Sequence, residues 1–280
     1  MPARPKILRS LSNKLIVTGS SIIVGLALLG ALAPWLAPHQ PVAIDLENRF
    51  AGPNLAYPLG TDNLGRCIFS RILFGARLSL GISFLITTVI VTLGTSLGLM
   101  AGLARGRLDN FLCWIMDIFL AFPAFILALG ITGFLGSSLQ SVILAVCSVW
   151  WAYYARLIRG LTISAQEKEF VLAARLIGSR GFSLVHSCIL PQILPIILVS
   201  ASLEMGWIIM AISGLSFLGV GVQPPTPEWG AMLYEARLFI QTAPHLMLAP
   251  GGALFLAILG FNFLGEGLRD VLQIKSGIGF

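Results

Sequence analysis

Between Leu78 and Ala104 the chain carries no charged side chain, and runs of this kind recur along its length. Lipid offers the backbone no hydrogen-bond partner, so a segment that crosses it must be a helix of about 20 mainly apolar residues. No charge falls between Lys14 and Asp45, which predicts a first helix over Leu15 to Ala37, ended by Pro34, Pro38 and Pro41. Leu78 to Ala104 is the second. Ile118 to Ala155 is too long for one span, and Gly133 to Gln140 divides it into a third and a fourth. Pro191 to Val222, interrupted only by Glu204, holds the fifth, and Leu246 to Gly265 the sixth. The reading is an all-α, polytopic membrane protein with about six transmembrane helices. It divides into an N-terminal helix with an extracytoplasmic segment (1–77) and a core transmembrane domain (78–280).

Composition excludes the soluble alternative. Only 11% of the 280 residues are charged and 56% are hydrophobic, whereas a water-facing exterior takes roughly 25% charged residues. The formal charge of +6 does not gather into a basic face for nucleic acid; basic residues instead punctuate the ends of the apolar runs. Cys67, Cys113, Cys147 and Cys188 lack CxxC spacing, and His39, His186 and His245 are scattered, so neither a disulfide framework nor a tight metal site is indicated. The first apolar run is too long for a signal peptide and reads as a retained helix.

Arginine and lysine set the orientation. Arg4, Lys6, Arg9 and Lys14 precede the first helix, and Arg105 and Arg107 follow the second. Arg156, Arg159, Lys168, Arg175 and Arg180 follow the fourth, and Arg269 and Lys275 the sixth. All lie on one side, which places both termini in the cytoplasm. The outer segment holds Arg49, Arg66, Arg71 and Arg77 beside Asp45, Glu47 and Asp62, so its charges largely offset. On the outer side Pro224, Pro225 and Pro227 would end the fifth helix at Val222, and Trp229 suits the headgroup region.

One cytoplasmic loop is longer than a compact membrane protein needs. In residues 166–191, Phe170, Leu172, Ala173, Leu176 and Ile177 make an apolar face against Glu167, Lys168 and Arg175. Gly178 supplies a turn, and Phe182 to Leu190 a second short amphipathic piece. The pattern fits a knob, slim at Ala173 and Ala174, entering a partner's groove. It also fits a helix lying on the lipid interface.

The Ala-Ala pair, Gly178 and Ile189-Leu190-Pro191 resemble the "EAA" coupling loop of ABC importer permeases. Further stretches resemble the second, C-type permease of the dipeptide/oligopeptide/nickel subfamily: YPLGTDNLGRC (57–67), DIFLAFP (117–123), YARLIRG (154–160), LSFLGVGVQPPTPEWG (215–230) and FNFLGEGLRD (261–270). Leu172 stands where the loop's name expects an acid, though Glu169 lies three residues earlier, and Cys67 replaces a usual aspartate. The resemblance implies a type I ABC importer permease fold in the bacterial inner membrane. It implies a homologous B-type permease partner, two ABC ATPases that use ATP–Mg, and an extracytoplasmic solute-binding protein. This chain would bind no cofactor itself. Glu169, Ala173, Ala174, Gly178, Leu190 and Pro191 would form the coupling loop.

Asp117 and Glu204 are the acids within the spans, and such groups are functional candidates because a lone charge in lipid is costly. Asp117 lies about 10 Å along its helix from Asn110, within reach of Arg105 or Arg159. Glu204 lies about 20 Å past Pro191, near mid-membrane. Ser213 is the third pathway candidate. The stretch 202–206 resembles the nickel branch, and one carboxylate would attract a passing cation without holding a metal tightly. Nickel, free or chelated, is the expected cargo, with peptides of the same subfamily as the alternative. An intramembrane serine protease would need Ser213 and His245 within hydrogen-bond reach. A channel would need no coupling knob. The chain contains no GxxxxGK[ST] loop, so on this reading ATP is hydrolysed by partners and the chain is not an enzyme.

Overall fold

The computed structural model describes residues 13–104 and 106–272. Their regular elements are helical, apart from one isolated bridge between Thr61 and Cys67. In chain order the helices are α1 (Lys14–Ala31), α2 (Ala33–Leu36), α3 (Ile68–Ala104), α4 (Arg107–Leu120), α5 (Ala124–Leu135) and α6 (Leu139–Gln166). They continue as α7 (Glu169–Leu176), α8 (Gly181–Leu184), α9 (Leu190–Phe217), α10 (Trp229–Ala236) and α11 (His245–Val271). Five helical stretches are long and apolar enough to cross a membrane, and α4 with α5, bent by 81°, makes a sixth if the pair is one span.

Several boundaries differ from those expected, each because a charge or proline acts differently in three dimensions. The second span begins at Ile68 rather than Leu78. Arg71 is paired and buried inside it and so does not end it. The division at residue 77 therefore falls inside α3. The third span begins at Arg107 rather than Ile118, and its break lies at 121–123, within the span. Pro123 lacks an N–H and disfavours helical geometry at Phe122, which explains the bend. The fifth span ends at Phe217, ahead of the three prolines. Gly219, at φ +85°, turns the chain, with Gly219 N–H donating to Ser216 O (2.9 Å) and Val220 N–H to Leu215 O (3.2 Å). Trp229 does not sit among headgroups: it is fully buried, donating from Nε1 to Ile72 O at 3.2 Å. Gly75 makes its slot, since a Cβ there would meet the indole at 2.8 Å.

Helix contacts run through small residues, as expected where lipid supplies no hydrophobic drive between helices. One glycine stripe lies in α3. Gly94, Gly98 and Gly102 face Tyr154, Ala155, Ile158 and Thr162 of α6, and a Cβ at Gly98 would lie 2.5 Å from Ala155 O. The matching advance of both numbers shows that α3 and α6 run parallel. In α9 a Cβ at Gly214 would come within 3.2 Å of the Phe125 ring, while at Gly206 the nearest neighbour is at an ordinary 3.7 Å; Gly219 and Gly221, beyond the helix, sit tightly against Tyr234 and Ser216.

α1 and α11 are antiparallel, with Gly19 against Gly260 and Leu264 and Gly267 against Ile16. Asn13 accepts from Leu15 N–H at 2.9 Å to cap α1 and reaches Gly267 O at 3.4 Å. Both ends of the described chain thus share one side. Gln166 Nε2 donates to Gly102 O at 2.7 Å, joining the ends of α6 and α3. Arg4, Lys6, Arg9, Arg105 and Lys275, used above for orientation, lie outside the described residues.

Candidate functional site

The long loop folds into two short helices across a turn at Gly178, a pair called the knob below. Val171 of α7 is buried as its anchor, and Arg175 donates to Gln166 Oε1 at the end of α6. Glu169 opens the helix, where its charge favours the positive end. Ala173 is exposed and Ala174 half-buried. Gly178 N–H donates to Arg175 O (3.1 Å) and Ser179 N–H to Ala174 O (3.0 Å), and Gly178 takes φ +97°, a conformation side chains rarely adopt. Leu176, Ile177 and Phe182 at this tip are 88%, 85% and 83% exposed.

The second limb is not a separate amphipathic piece. α8 passes through a π-turn, Val185–Ile189, directly into α9. Leu190 is the first residue of α9, and Pro191, in its first turn, has no N–H to place there. The second limb of the knob is therefore continuous with α9, and the first, α7, follows α6 after Glu167 and Lys168.

Glu204, half-buried on α9, lines a cavity of about 360 Å³. Its walls are aromatic: Phe119 and Phe122 at the α4–α5 bend, Trp150 and Tyr153 of α6, and Trp207 one turn from Glu204. Asp117 pairs with Arg156, not with Arg159. Arg159 instead binds both oxygens of Asp109, at 2.6 and 2.7 Å. Arg156 is one turn beyond Tyr153 towards the knob, so the Asp117–Arg156 pair borders the cavity's knob side. Its side chains are 62% and 46% exposed.

Ser213 lies elsewhere. It is buried, its hydroxyl donates to Glu228 Oε1 at 3.3 Å, and Gly230 packs on its backbone. His245 sits against Gly60 of the outer segment. The serine–histidine pair that a protease would need is not formed among the described residues.

Two constellations on the side opposite the knob have no counterpart in the sequence reading. Asp62 Oδ2 accepts from Arg66 Nε and from Arg71, both at 2.6 Å, and Glu235 accepts from Arg66 (2.7 Å) and Arg71 (2.6 Å). This closed ring of four charges joins the outer segment, α3 and α10, with both arginines almost wholly buried. Asp62 Oδ1 also accepts from Leu64 N–H and Arg66 N–H, each at 2.9 Å, and Gly65 turns there at φ +75°. The second centres on Glu228, also fully buried, which caps α10 by accepting from Gly230 N–H (3.0 Å) and Ala231 N–H (2.8 Å). Ser79 and Ser213 donate to the same carboxylate. The signal in hand was the Asp62–Arg66 spacing; no sequence signal paired Arg66 or Arg71 with Glu235.

Comparison with known proteins agrees with this architecture. Residues 94–275 match the family described as binding-protein-dependent transport system inner membrane component, and residues 7–53 match the N-terminal TM domain of oligopeptide transport permease C. The chain is 42% identical to the nickel transport system permease protein NikC of Escherichia coli K12, over 90% of this chain and 91% of that one. It is 42% identical to the dipeptide transport system permease protein DppC of Alkalihalophilus pseudofirmus, over 94% and 86%. It is 41% identical to the glutathione transport system permease protein GsiD of Pectobacterium atrosepticum, over 89% and 84%. The chain therefore belongs to the binding-protein-dependent inner membrane transport components, as a multi-pass C-type ABC permease of the peptide/nickel/glutathione subfamily.

Proposed function

We propose that this permease carries nickel, free or held in a chelate, past Glu204, in an importer driven by two partner ATPases and supplied by an extracytoplasmic binding protein. The observation that carries this reading is the single carboxylate opening into an aromatic cavity at mid-span. Glu204 offsets the positive charge of a cation where water helps little, and one carboxylate is too weak a donor set to trap a transition metal. Asp117 and Arg156, exposed at membrane depth, are costly against hydrocarbon. They fit a face turned to the homologous B-type permease and a water-filled path between the two subunits.

The aromatic walls favour a cation wrapped in organic ligands over a bare hydrated one, and the same walls would admit a peptide, the second reading. Glu204→Gln should lower nickel accumulation in cells about tenfold, equivalent to roughly 1.4 kcal/mol, while co-purification with the ATPases is unchanged. Uptake equal to wild type would remove Glu204 from the path. Undiminished nickel uptake with lost dipeptide uptake would select the peptide reading.

On this proposal the knob lies in the cytoplasm with both termini, and Leu176, Ile177 and Phe182 seat in the ATPase. ATPase closure then moves α6 and α9 together, because the knob is continuous with α9. Gly178→Asp forces a side chain into a left-handed turn, at about 1–2 kcal/mol, and adds a charge to an apolar tip. Transport and binding-protein-stimulated ATP hydrolysis should both fall to background. Normal stimulated hydrolysis in this variant would refute the coupling role.

A further inference from the structure

Arg77 has no ion-pair or hydrogen-bond partner among the described residues, yet it is exposed on a membrane helix. Its depth follows from α1. Gly30 packs on the Arg77 backbone, where a Cβ would come within 2.8 Å of its nitrogen. α1 closes at Ala31 after 18 residues, about 27 Å of helix, close to the thickness of the hydrocarbon. Trp35, 79% exposed, follows one turn later. Arg77 is thus level with the outer headgroups, where indoles and cations face the interface.

Two apolar grooves meet at this residue. One, of about 720 Å³ between α1 and α3, runs inward from Trp35 to Phe84 and Phe261. The other, of about 540 Å³, runs down the opposite flank of α3 past Leu85 to Ile143. Arg77 and Gly81 line both and form the ridge between them. A Cβ at Gly81 would meet nothing within 4 Å, so the ridge is low. Arg77 to Phe84 spans about 10 Å of helix, which carries the grooves well into the hydrocarbon.

We propose that Arg77 and the two grooves hold one diacyl anionic phospholipid, with its phosphate on the guanidinium and one acyl chain on each side of the Gly81 ridge. The single cation asks for an anion, and the planar fork of an arginine matches phosphate oxygens. Two grooves diverging from one charged head match a two-tailed amphiphile. A single-tailed ligand would leave one groove empty. The site is separate from the Glu204 cavity and does not depend on which cargo the importer carries.

The test uses the assembled importer in nanodiscs of equal phosphatidylglycerol and phosphatidylcholine, released for native mass spectrometry. The wild type should retain one lipid per copy of this chain at the site, with phosphatidylglycerol preferred about fivefold, the effect of one basic residue near a headgroup. Arg77→Gln should bring that preference to parity while lipid is still retained. Gly81→Trp, which fills the ridge from a position where a Cβ meets nothing within 4 Å, should lose the retained lipid of either kind. Equal retention of the two lipids by wild type would overturn the proposal. So would a photoreactive amino acid at Leu85 that crosslinks to a partner subunit in place of lipid.

Discussion

Arg71→Ala should destabilise the protein by about 3–5 kcal/mol, the cost of leaving buried charge without its partner. Asp62 and Glu235 would then share only Arg66, in a site where Arg66 is 1% exposed. The ring ties the outer segment to α3 and α10, so its loss should loosen residues 38–67 and α10 together. Thermal unfolding of the purified complex and protease cutting within the outer segment would measure this. Arg71→Ala/Glu235→Ala should recover part of the loss, because Asp62 and Arg66 remain as a neutral pair. Glu266→Gln, which breaks an exposed pair with Arg269, is the control and should change stability by less than about 1 kcal/mol. If Arg71→Ala were no worse than this control, the ring would not be holding residues 38–67 to α3 and α10.

Glu228→Ala should cost about 2–4 kcal/mol and unravel the start of α10. Removing the cap accounts for about 1 kcal/mol. The remainder is the cost of one buried donor that finds no other acceptor, about 1–3 kcal/mol where water cannot reach it. Gly230 N–H, Ala231 N–H and the hydroxyls of Ser79 and Ser213 all turn to this carboxylate. Amide exchange at Gly230 and Ala231 should accelerate well before the membrane helices open. Ser213→Ala should be mild, since Glu228 keeps its other three donors, and transport should continue. Slow exchange at both amides in Glu228→Ala would show that another group caps the helix.

The Asp62–Arg66–Arg71–Glu235 ring and the Glu228 cap lay beyond what the sequence could pair. Asp62, Arg66 and Arg71 were visible as charges of one segment, but Glu235 lies far along the chain, and only folding brings it within 2.7 Å of Arg66. A hydropathy count treats each charge as exposed. It therefore placed the start of the second span after Arg77, although Arg71 is neutralised by its partners inside α3. The same reasoning credited the prolines with ending the fifth helix, when Gly219 had already turned it. Trp229 suited an interface by residue type and is instead the plug of a slot made by Gly75. The sequence puts Asp117 within reach of Arg105 or Arg159; among the described residues its partner is Arg156, whose side of α6 faces it, and Arg159 pairs with Asp109.

Charge-free runs, the helical pattern after Gln166 and the glycine at 178 were enough, from sequence alone, to determine a bundle of spans with a short helix and a glycine turn in one long loop. Each depends on local chemistry: lipid forbids an unpaired backbone, and a left-handed turn favours a residue without Cβ. The partners of buried charges, the parallel seating of α6 on the α3 glycines and the aromatic enclosure of Glu204 were decided only by the tertiary structure. They depend on which distant surfaces meet, and in a chain this uniformly apolar many faces could bury against many others. Close fit and charge neutralisation select among them, and neither is a property of any single segment.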